Sequence, residues 1–331
     1  MQVSGTIRIV SSNPLNLANT LPSGQSFRWK LCRSHTWIGV IDNHVISLKQ
    51  NSPSLISYTA EPCASSEAIK NRLIDYFRLE SPPLRELYRQ WGQSTKTNHA
   101  ENHTADINAD FKKKAQKLDG LRLLRQDPYE CTFCFICSQN NHTKRISSMV
   151  ETLCNVYGSF IATVDGVDYY AFPKIDQLLR ATEPELRGLG FGYRSKYIVE
   201  SAKIVKENGG ETWLRLQKLV PTDVAKLALL SLPGIGHKVA DCIALFSMER
   251  LDVVPVDTHV WKIAMRYLPK RKKNSSTYQY IADFFKEKFG PYCGWAHTIL
   301  FAAELKTFQT VMDEDSKVNK SKTKAKKTAN L

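Results

Sequence analysis

The sequence predicts an α+β protein in which an antiparallel β-sheet comes first and a mainly helical region follows. Short runs of β-branched and apolar residues lie near the N-terminus, whereas apolar residues at helical spacing continue from about Phe111 to Leu305. Between them, Gln93–Asp110 is polar and almost free of aromatic residues, which is typical of an exposed loop. We therefore expect a first domain at residues 1–115, a helical domain at 116–310 and a basic, disordered tail at 311–331.

The sheet is predicted from a hairpin pattern. Thr36–Val40 and Val45–Leu48 are rich in β-branched and apolar residues, and Asp42-Asn43 between them suits a tight turn. Two strands joined by so short a turn run antiparallel. Ser57–Ala60 is a candidate for a further strand.

Helices are predicted from apolar spacing and from their start and stop residues. Asp127 can cap the first N–H groups of a helix that begins at Pro128, and Glu130 completes a capping box. Gly158 ends a later amphipathic helix, and Pro82-Pro83 interrupts an earlier one. The apolar residues that mark these helices are Ile146, Met149, Val150, Leu153 and Cys154 in the later one, and Ile69, Leu73, Ile74 and Phe77 in the earlier one.

The charge balance indicates the class of partner. The chain carries 46 Lys and Arg against 32 Asp and Glu, a formal net charge of +14. This charge favours an anionic partner, most commonly nucleic acid, although a basic soluble protein without such a partner has the same composition. No apolar run is long enough to cross a bilayer, and Met1–Leu15 lacks the pattern of a secretory signal. We therefore expect an intracellular protein without membrane contact, whose eight cysteines are thiols.

Two lysine-rich segments bear on location. Lys270–Lys273 and the tail from Asp313 have the composition of a nuclear localisation signal or of a non-specific DNA contact. A solvated charge run explains them equally well. We expect a nuclear protein, with a mitochondrial location left open.

A glycine turn at Leu232–Asp241 (LPGIGHKVAD) gives the first indication of chemistry. Gly234 and Gly236 allow positive φ and close backbone approach, and a helical pattern starts directly after them. The free N–H groups of that helix start can bind a phosphate without reading base sequence. This is the helix-hairpin-helix pattern, although glycine turns between helices also occur in proteins that bind no DNA.

Lys238 lies in the first turn of the second helix of this pattern. A cation there opposes the helix dipole, and burial would add to the effect, so we expect the pKa of its amine to be lowered. A neutral amine can attack an electrophilic carbon and form a Schiff base. A simple phosphate contact is the alternative role.

Asp257 follows in Val254–Trp261 (VPVDTHVW), where a further helix would begin. As an N-cap it would bind free N–H groups, with Val256 and Trp261 packed as a hydrophobic staple. Its carboxylate could also stabilise positive charge on a sugar or take a proton from Lys238. His259 can reach a phosphate at the same helix end, or can be an ordinary surface histidine.

Several segments together resemble the eukaryotic 8-oxoguanine DNA glycosylases. The resemblance covers roughly residues 5–306, in order and with similar spacing, and it implies an antiparallel β domain beside a helix-hairpin-helix glycosylase domain with DNA between them. The segments that carry it are Leu21–Trp29, Leu121–Glu130, Phe135–Ile146, Gly190–Ile198, Leu232–Cys242, Val254–Trp261 and Gly290–Phe301.

The resemblance implies roles for individual residues. Lys238 would be the nucleophile and Asp257 the essential carboxylate in base excision, followed by strand nicking through β-elimination. Base flipping leaves a gap and an orphan cytosine, and the residues that match the family's residues for this task are Asn140, Arg145, Tyr193 and Arg194. Other roles are open for three of them: a helix C-cap for Asn140, a core aromatic for Tyr193 and a surface cation for Arg194.

The resemblance also implies a base pocket. Cys242, one helical turn after Lys238, and Phe301 would sandwich the flipped base. The carbonyl of Gly24 would accept from N7–H, a hydrogen that normal guanine lacks.

Two positions depart from the family. His297 stands where the family usually has Gln, so its contact with the base edge has a different reach. His142 replaces an Asn and either touches the DNA backbone or makes no contact with it.

The cysteine run Cys131, Cys134 and Cys137 invites a metal, but it falls inside an apolar helical segment, and we expect neither metal nor cofactor. We expect a monomer that acts on duplex DNA with 8-oxoguanine, and also formamidopyrimidine guanine, opposite cytosine. Two alternatives stay open: a helix-hairpin-helix glycosylase for another lesion, and a non-catalytic DNA-binding protein.

Overall fold

The structure is a computed structural model. It describes residues 1–32, 34–80, 83–93, 106–269, 275–309 and 312. The predicted basic tail and the segment Lys270–Lys273 lie outside the described residues, apart from residue 312.

Within the described residues, seven strands form two antiparallel sheets. The larger has the order β1-β5-β4-β3-β2, and the smaller pairs β6 with β7. The strands are β1 (Val3–Arg8), β2 (Lys30–Leu31), β3 (Trp37–Ile41), β4 (His44–Ser52), β5 (Leu55–Glu61), β6 (Phe160–Val164) and β7 (Val167–Tyr170).

The hairpin prediction is confirmed. β3 and β4 pair with Val40 opposite Val45, and Asp42 makes the turn with a φ of 55°. The strand predicted at Ser57–Ala60 lies within β5.

Helices make up most of the remaining chain, and they confirm the α+β prediction. Short 3-10 turns lie at Gln217–Leu219 and Gly290–Tyr292. The helices are α1 (Leu17–Thr20), α2 (Ser66–Tyr76), α3 (Leu84–Trp91), α4 (Ile107–Lys117), α5 (Pro128–Cys137), α6 (Thr143–Tyr157), α7 (Ile175–Leu178), α8 (Glu183–Gly188), α9 (Arg194–Glu207), α10 (Glu211–Leu216), α11 (Thr222–Leu230), α12 (His237–Ser247), α13 (Thr258–Ala264), α14 (Ser275–Phe289) and α15 (Cys293–Ala302).

The larger sheet has buried apolar side chains on both faces. One face packs in a core with α2 that includes Ile46, Ile56 and Leu73. The other face packs through Val40 against the β6–β7 hairpin, where Val164 is in contact. The expectation of helix alone after residue 111 is therefore wrong at this hairpin, which turns at Asp165-Gly166 with positive φ at both residues.

Two local predictions about helix starts are wrong. The polar stretch was expected to be a loop as far as Asp110, but α4 begins at Ile107 because Asp106 caps it and Phe111 is fully buried below. α4 also runs across the predicted domain boundary between residues 115 and 116, and that boundary stays a prediction. Asp127 caps α5 as expected, but the carboxylate of Glu130 lies 3.7 Å from Arg28 instead of closing a capping box.

Buried arginines join the sheet region to the helical region. Arg122 is fully buried and donates from Nε to the carbonyl of Phe77 at 2.6 Å, while its guanidinium lies 5.3 Å from the ring of Trp295 on α15. Arg78 donates to Glu249 from both terminal nitrogens, at 2.5 and 2.9 Å. Such charge-assisted bonds fix the orientation of the two regions. Within the described ranges, no helix has the length and apolar character needed to span a membrane.

Candidate functional site

The glycine turn lies between α11 and α12, as the helix-hairpin-helix pattern predicts. Gly234 has a φ of 82°, and a Cβ there would lie 2.4 Å from the ring of Tyr197. Gly236 differs, because its φ of −95° and ψ of 178° suit any residue and a Cβ there would meet open space. The special turn geometry expected of both glycines therefore applies to Gly234 alone.

Lys238 lies in the first turn of α12 and is half-buried. Its side chain is hydrogen-bonded to Cys242, one turn further on the same face, as the spacing predicts.

The prediction of a lowered lysine pKa is wrong for the free protein, in which the pKa of Lys238 is raised. The negative charge that Cys242 carries as a thiolate raises it most, burial lowers it, and Asp257 raises it. Burial in turn raises the pKa of the Cys242 thiol. The Lys238 amine and the Cys242 thiol therefore influence each other, and Asp257 adds to the field that favours the charged amine. The argument from the helix dipole omitted this carboxylate.

Asp257 caps α13. Its Oδ1 accepts from the N–H groups of His259 at 2.8 Å and Val260 at 2.9 Å. One oxygen thus serves the helix start, and the carboxylate also lines the pocket that contains Lys238. The capping role and the proposed chemical role are compatible.

A small cavity of about 50 Å³ brings the predicted pocket residues together. Gly24 has a φ of 83°, and a Cβ there would lie 4.0 Å from the ring of Phe301, so the two ends of the chain meet here. The lining residues are Ser23, Gly24, Phe135, Lys238, Cys242, Phe246, Pro255, Asp257, His297, Thr298 and Phe301.

Sequence reasoning missed five of these lining residues. Four of them lie inside segments that carry the family resemblance, so position within those segments was the available signal. Phe246 had no such signal, since it follows Cys242 by one helical turn outside the quoted motif. The missed residues are Ser23, Phe135, Phe246, Pro255 and Thr298.

His297 is buried in this pocket, with 4% of its surface exposed. The backbone of Gly294 and of Pro255 approaches the ring and raises its pKa, but neither ring nitrogen forms a well-aligned hydrogen bond with it. Its ring stacks on Phe301 with centroids 6.0 Å apart. Burial lowers the pKa of His297 to about 4, so the imidazole is neutral at pH 7 with one donor and one acceptor unused.

A second group of predicted residues lies outside the pocket. Arg194 is 2% exposed and donates to the carbonyls of Gln139 and Asn140, the latter at 3.1 Å. Tyr193 is 43% exposed, its ring lies 4.6 Å from the guanidinium of Arg194, and its hydroxyl donates to Gln139. Arg145 is exposed and donates to the carbonyl of Gly190 at 3.2 Å.

The alternative roles considered for this group do not hold. Asn140 is exposed with a φ of 43° and is not the C-cap of α5, which is Ser138. Tyr193 is not a core aromatic, and Arg194 is not a surface cation. Arg194 instead holds the loop that presents Asn140.

Two histidines lie at helix starts. His142 caps α6, with Nδ1 accepting from the N–H of Arg145 at 3.4 Å, a role that the sequence analysis did not assign to it. His259 is exposed, and its ring centroid lies 6.1 Å from that of Phe301. Both are placed where an anion could reach them.

The three cysteines of the run lie on α5 and belong to the hydrophobic core. Cys131, Cys134 and Cys137 are buried, and burial raises the pKa of each thiol, that of Cys137 to about 12. In the part of the chain that the structure describes, no group of three or more His, Cys, Asp or Glu side chains is placed to hold a metal ion.

Two family models together match most of the chain. Residues 7–132 match the N-terminal domain of 8-oxoguanine DNA glycosylase. Residues 133–291 match the HhH-GPD superfamily of base excision DNA repair proteins.

Full-length relatives agree with these matches. The N-glycosylase/DNA lyase OGG1 of Arabidopsis thaliana is 37% identical over 321 residues, covering 92% of this chain and 82% of that protein. The N-glycosylase/DNA lyase of Saccharomyces cerevisiae is 35% identical over 335 residues, covering 89% of this chain and 85% of that protein.

A solved structure has the same fold. It is the Clostridium acetobutylicum 8-oxoguanine glycosylase/lyase in complex with double-stranded DNA containing cytosine opposite 8-oxoguanine. The TM-score is 0.77 at 27% identity, with 91% of this chain and 96% of that chain covered.

Proposed function

This chain belongs to the family of bifunctional 8-oxoguanine DNA N-glycosylase/AP lyases, and we propose that it excises 8-oxoguanine paired with cytosine through a Schiff base on Lys238. The observation that carries the proposal is that Lys238 and Asp257 line one small cavity together with Cys242, His297 and Phe301. An amine, a carboxylate and flat apolar walls are the groups that this reaction requires.

The chemistry begins with the amine. Lys238 gives up one proton, and the free amine attacks C1′ of the damaged nucleotide while the C1′–N9 bond breaks. The base leaves with the electron pair of that bond and takes up the proton that the amine lost. Entry of the base removes water from the amine, and this desolvation lowers the raised pKa of Lys238. The carboxylate of Asp257 stabilises the positive charge that develops on the sugar.

The lyase step follows from the same intermediate. The sugar ring opens as the C1′–O4′ bond breaks and O4′ takes a proton from the attached amine, which leaves a protonated Schiff base between Lys238 and C1′. A proton then passes from C2′ to water, and the bond from C3′ to its phosphate oxygen breaks in a β-elimination, with the phosphate leaving with the electron pair. Water then releases Lys238 by hydrolysis of the imine. No oxidant or metal enters the balance.

Recognition of the base rests on groups that the cavity leaves unpaired. The carbonyl of Gly24 would accept from N7–H, which only the oxidised base carries. His297 would offer its unused donor and acceptor to the opposite edge of the base. A normal guanine would leave two acceptors facing each other at Gly24, which costs about 1–3 kcal/mol.

The group around Asn140 is proposed to hold the gap and the orphan cytosine. Tyr193 is exposed and can enter the stack, and Arg145 can reach a base edge. In Arg194 the Nε and Nη2 atoms already donate to carbonyls, so a bond to cytosine would come from Nη1. The start of α12 and His259 would bind phosphates.

A base-release and nicking assay tests this function. A labelled duplex with one 8-oxoguanine opposite cytosine should lose the base and be nicked, while a guanine–cytosine duplex stays intact. A second duplex that carries formamidopyrimidine guanine opposite cytosine should also lose its damaged base. Tight binding of the 8-oxoguanine duplex without release, or faster release of another lesion, would contradict the proposal.

We further propose that the protein acts as a monomer in the nucleus. The pocket is built from one chain, which supports a monomer as sufficient for activity. Light scattering after size exclusion tests the first point, and a fluorescent fusion with and without Lys270–Lys273 tests the second, with a mitochondrial signal as the competing result.

A further inference from the structure

A buried carboxylate lies behind the catalytic pocket. Asp241 is on α12, one residue before Cys242, and is 2% exposed. Lys226 on α11 places its Nζ 2.6 Å from Oδ1, an ion pair that is not aligned as a hydrogen bond. The hydroxyl of Tyr278 on α14 donates to Oδ2.

The same hydroxyl makes a second contact. Tyr278 accepts from the backbone N–H of Val256 at 3.3 Å, and Val256 directly precedes Asp257. One phenol oxygen is therefore bonded both to the helix that carries Lys238 and to the peptide that leads into the carboxylate.

The position of Asp257 depends on this link. On its C-terminal side, Asp257 is held by its own capping bonds to the start of α13. On its N-terminal side, the neighbouring peptide is held by Tyr278. Because α12 and α13 are separate elements, a tie between them fixes how far the amine lies from the carboxylate.

We propose that Tyr278 is a positioning residue: its hydroxyl, held by Asp241, sets the separation between Lys238 and Asp257. The inference rests on the roles proposed above for those two residues. Tyr278 itself does not line the pocket and touches no reacting atom.

Loss of the Tyr278 hydroxyl should therefore slow base excision without weakening DNA binding. Tyr278→Phe leaves the Val256 N–H without its acceptor and lets α12 and the peptide before α13 shift against each other. Small misplacements of reacting groups cost large factors in rate. The duplex is gripped by the backbone at the start of α12, and the ion pair from Lys226 still holds that helix, so affinity for DNA should change little.

Single-turnover excision and duplex affinity measured together test the inference. Tyr278→Phe should slow release of 8-oxoguanine about tenfold while the dissociation constant for the duplex stays within about twofold. Tyr88→Phe is the matched control, since it also removes a partly buried hydroxyl. The hydroxyl of Tyr88 donates to the backbone carbonyl of Leu121, and Tyr88 does not line the pocket. It should leave both quantities unchanged.

The failures of the two proposals are distinguishable. If the unsubstituted protein releases no base, the proposed function fails. If it is active and Tyr278→Phe reacts as fast as Tyr88→Phe, the positioning role is overturned.

A second pair of variants keeps the test decisive where Tyr278→Phe does not fold. Asp241→Asn retains an oxygen that can accept from Tyr278, so it should react faster than Asp241→Ala, which cannot hold the hydroxyl. Equal rates for this pair would overturn the inference.

Discussion

Two regions of this glycosylase contain buried polar side chains, and they differ in whether those side chains have hydrogen-bond partners within the protein. At the junction of sheet and helices, Arg122 donates to the carbonyls of Phe77 and Pro14 and to Oδ1 of Asn13. In the base pocket, His297 is also buried, yet neither of its ring nitrogens makes a well-aligned hydrogen bond. An unpaired buried polar group costs about 1–3 kcal/mol.

The difference separates residues that hold the fold from residues that await a ligand. Arg122 has hydrogen-bond acceptors within the fold for its buried guanidinium, so its substitution should lower stability and leave the chemistry intact. The pocket leaves donors and acceptors open, so changes there should alter activity more than folding.

Asp257→Asn should have the largest effect, on activity alone. Asparagine caps a helix about as well as aspartate, so the bonds to the start of α13 persist and the melting temperature should hold. Loss of the charge removes stabilisation of the developing cation, which should lower the single-turnover rate roughly 10²–10³-fold. Excision kinetics with thermal unfolding check this, and a large fall in melting temperature would contradict it.

Arg122→Met should have the opposite effect, lowering stability while leaving excision activity intact. The carbonyls of Phe77 and Pro14 lose their donor in a dry environment, and we expect a loss of about 3 kcal/mol in the free energy of unfolding. Excision at low temperature should persist. Denaturant unfolding measures the loss, with Arg89→Met as control because Arg89 pairs with Glu86 on the surface. Equal costs for the two variants would refute the contrast.

His297→Gln should change the pH dependence of stability. Burial lowers the pKa of His297 to about 4, so between about pH 6.5 and 4 the unfolded chain binds a proton that the folded protein does not. Stability due to this group is therefore lost as pH falls, by at most about 1.4 kcal/mol per pH unit. Glu130, whose pKa burial raises to about 7, acts in the opposite direction.

The comparison of His297→Gln with the unsubstituted protein cancels the contribution of Glu130. Unfolding free energies measured from pH 7 to 4 should show the variant losing less stability on acidification. His259→Gln serves as control, since His259 is exposed, and it should leave the pH profile parallel to that of the unsubstituted protein. A parallel profile for His297→Gln would mean that His297 is not held neutral.

Local features could be predicted from the sequence because their causes are local. The turn at Asp42-Asn43, the cap at Asp127 and the shared face of Lys238 and Cys242 depend only on nearby residues. The β6–β7 hairpin was not predicted, although Asp165-Gly166 is a typical hairpin turn. The segments before and after this hairpin both have apolar residues at helical spacing, which favoured a helix throughout.

Features that join distant parts of the chain could not be predicted in this way. Gly24 and Phe301 meet in the pocket, and only the resemblance to a family indicated it. The raised pKa of Lys238 depends most on Cys242, which is near in sequence, but also on Asp257, which is not. The link through Tyr278 depends on how α12, α14 and the segment before α13 pack together. No periodicity or spacing in the sequence carries that information.

Trapping of the covalent intermediate tests the central claim most directly. The protein is incubated with a duplex carrying 8-oxoguanine opposite cytosine, borohydride is added, and the covalent protein–DNA adduct is measured for the unsubstituted protein and for Lys238→Gln. Borohydride reduces a Schiff base to a stable amine. We predict an adduct that disappears in Lys238→Gln, and an adduct of equal yield in that variant would contradict the assignment of Lys238 as the nucleophile.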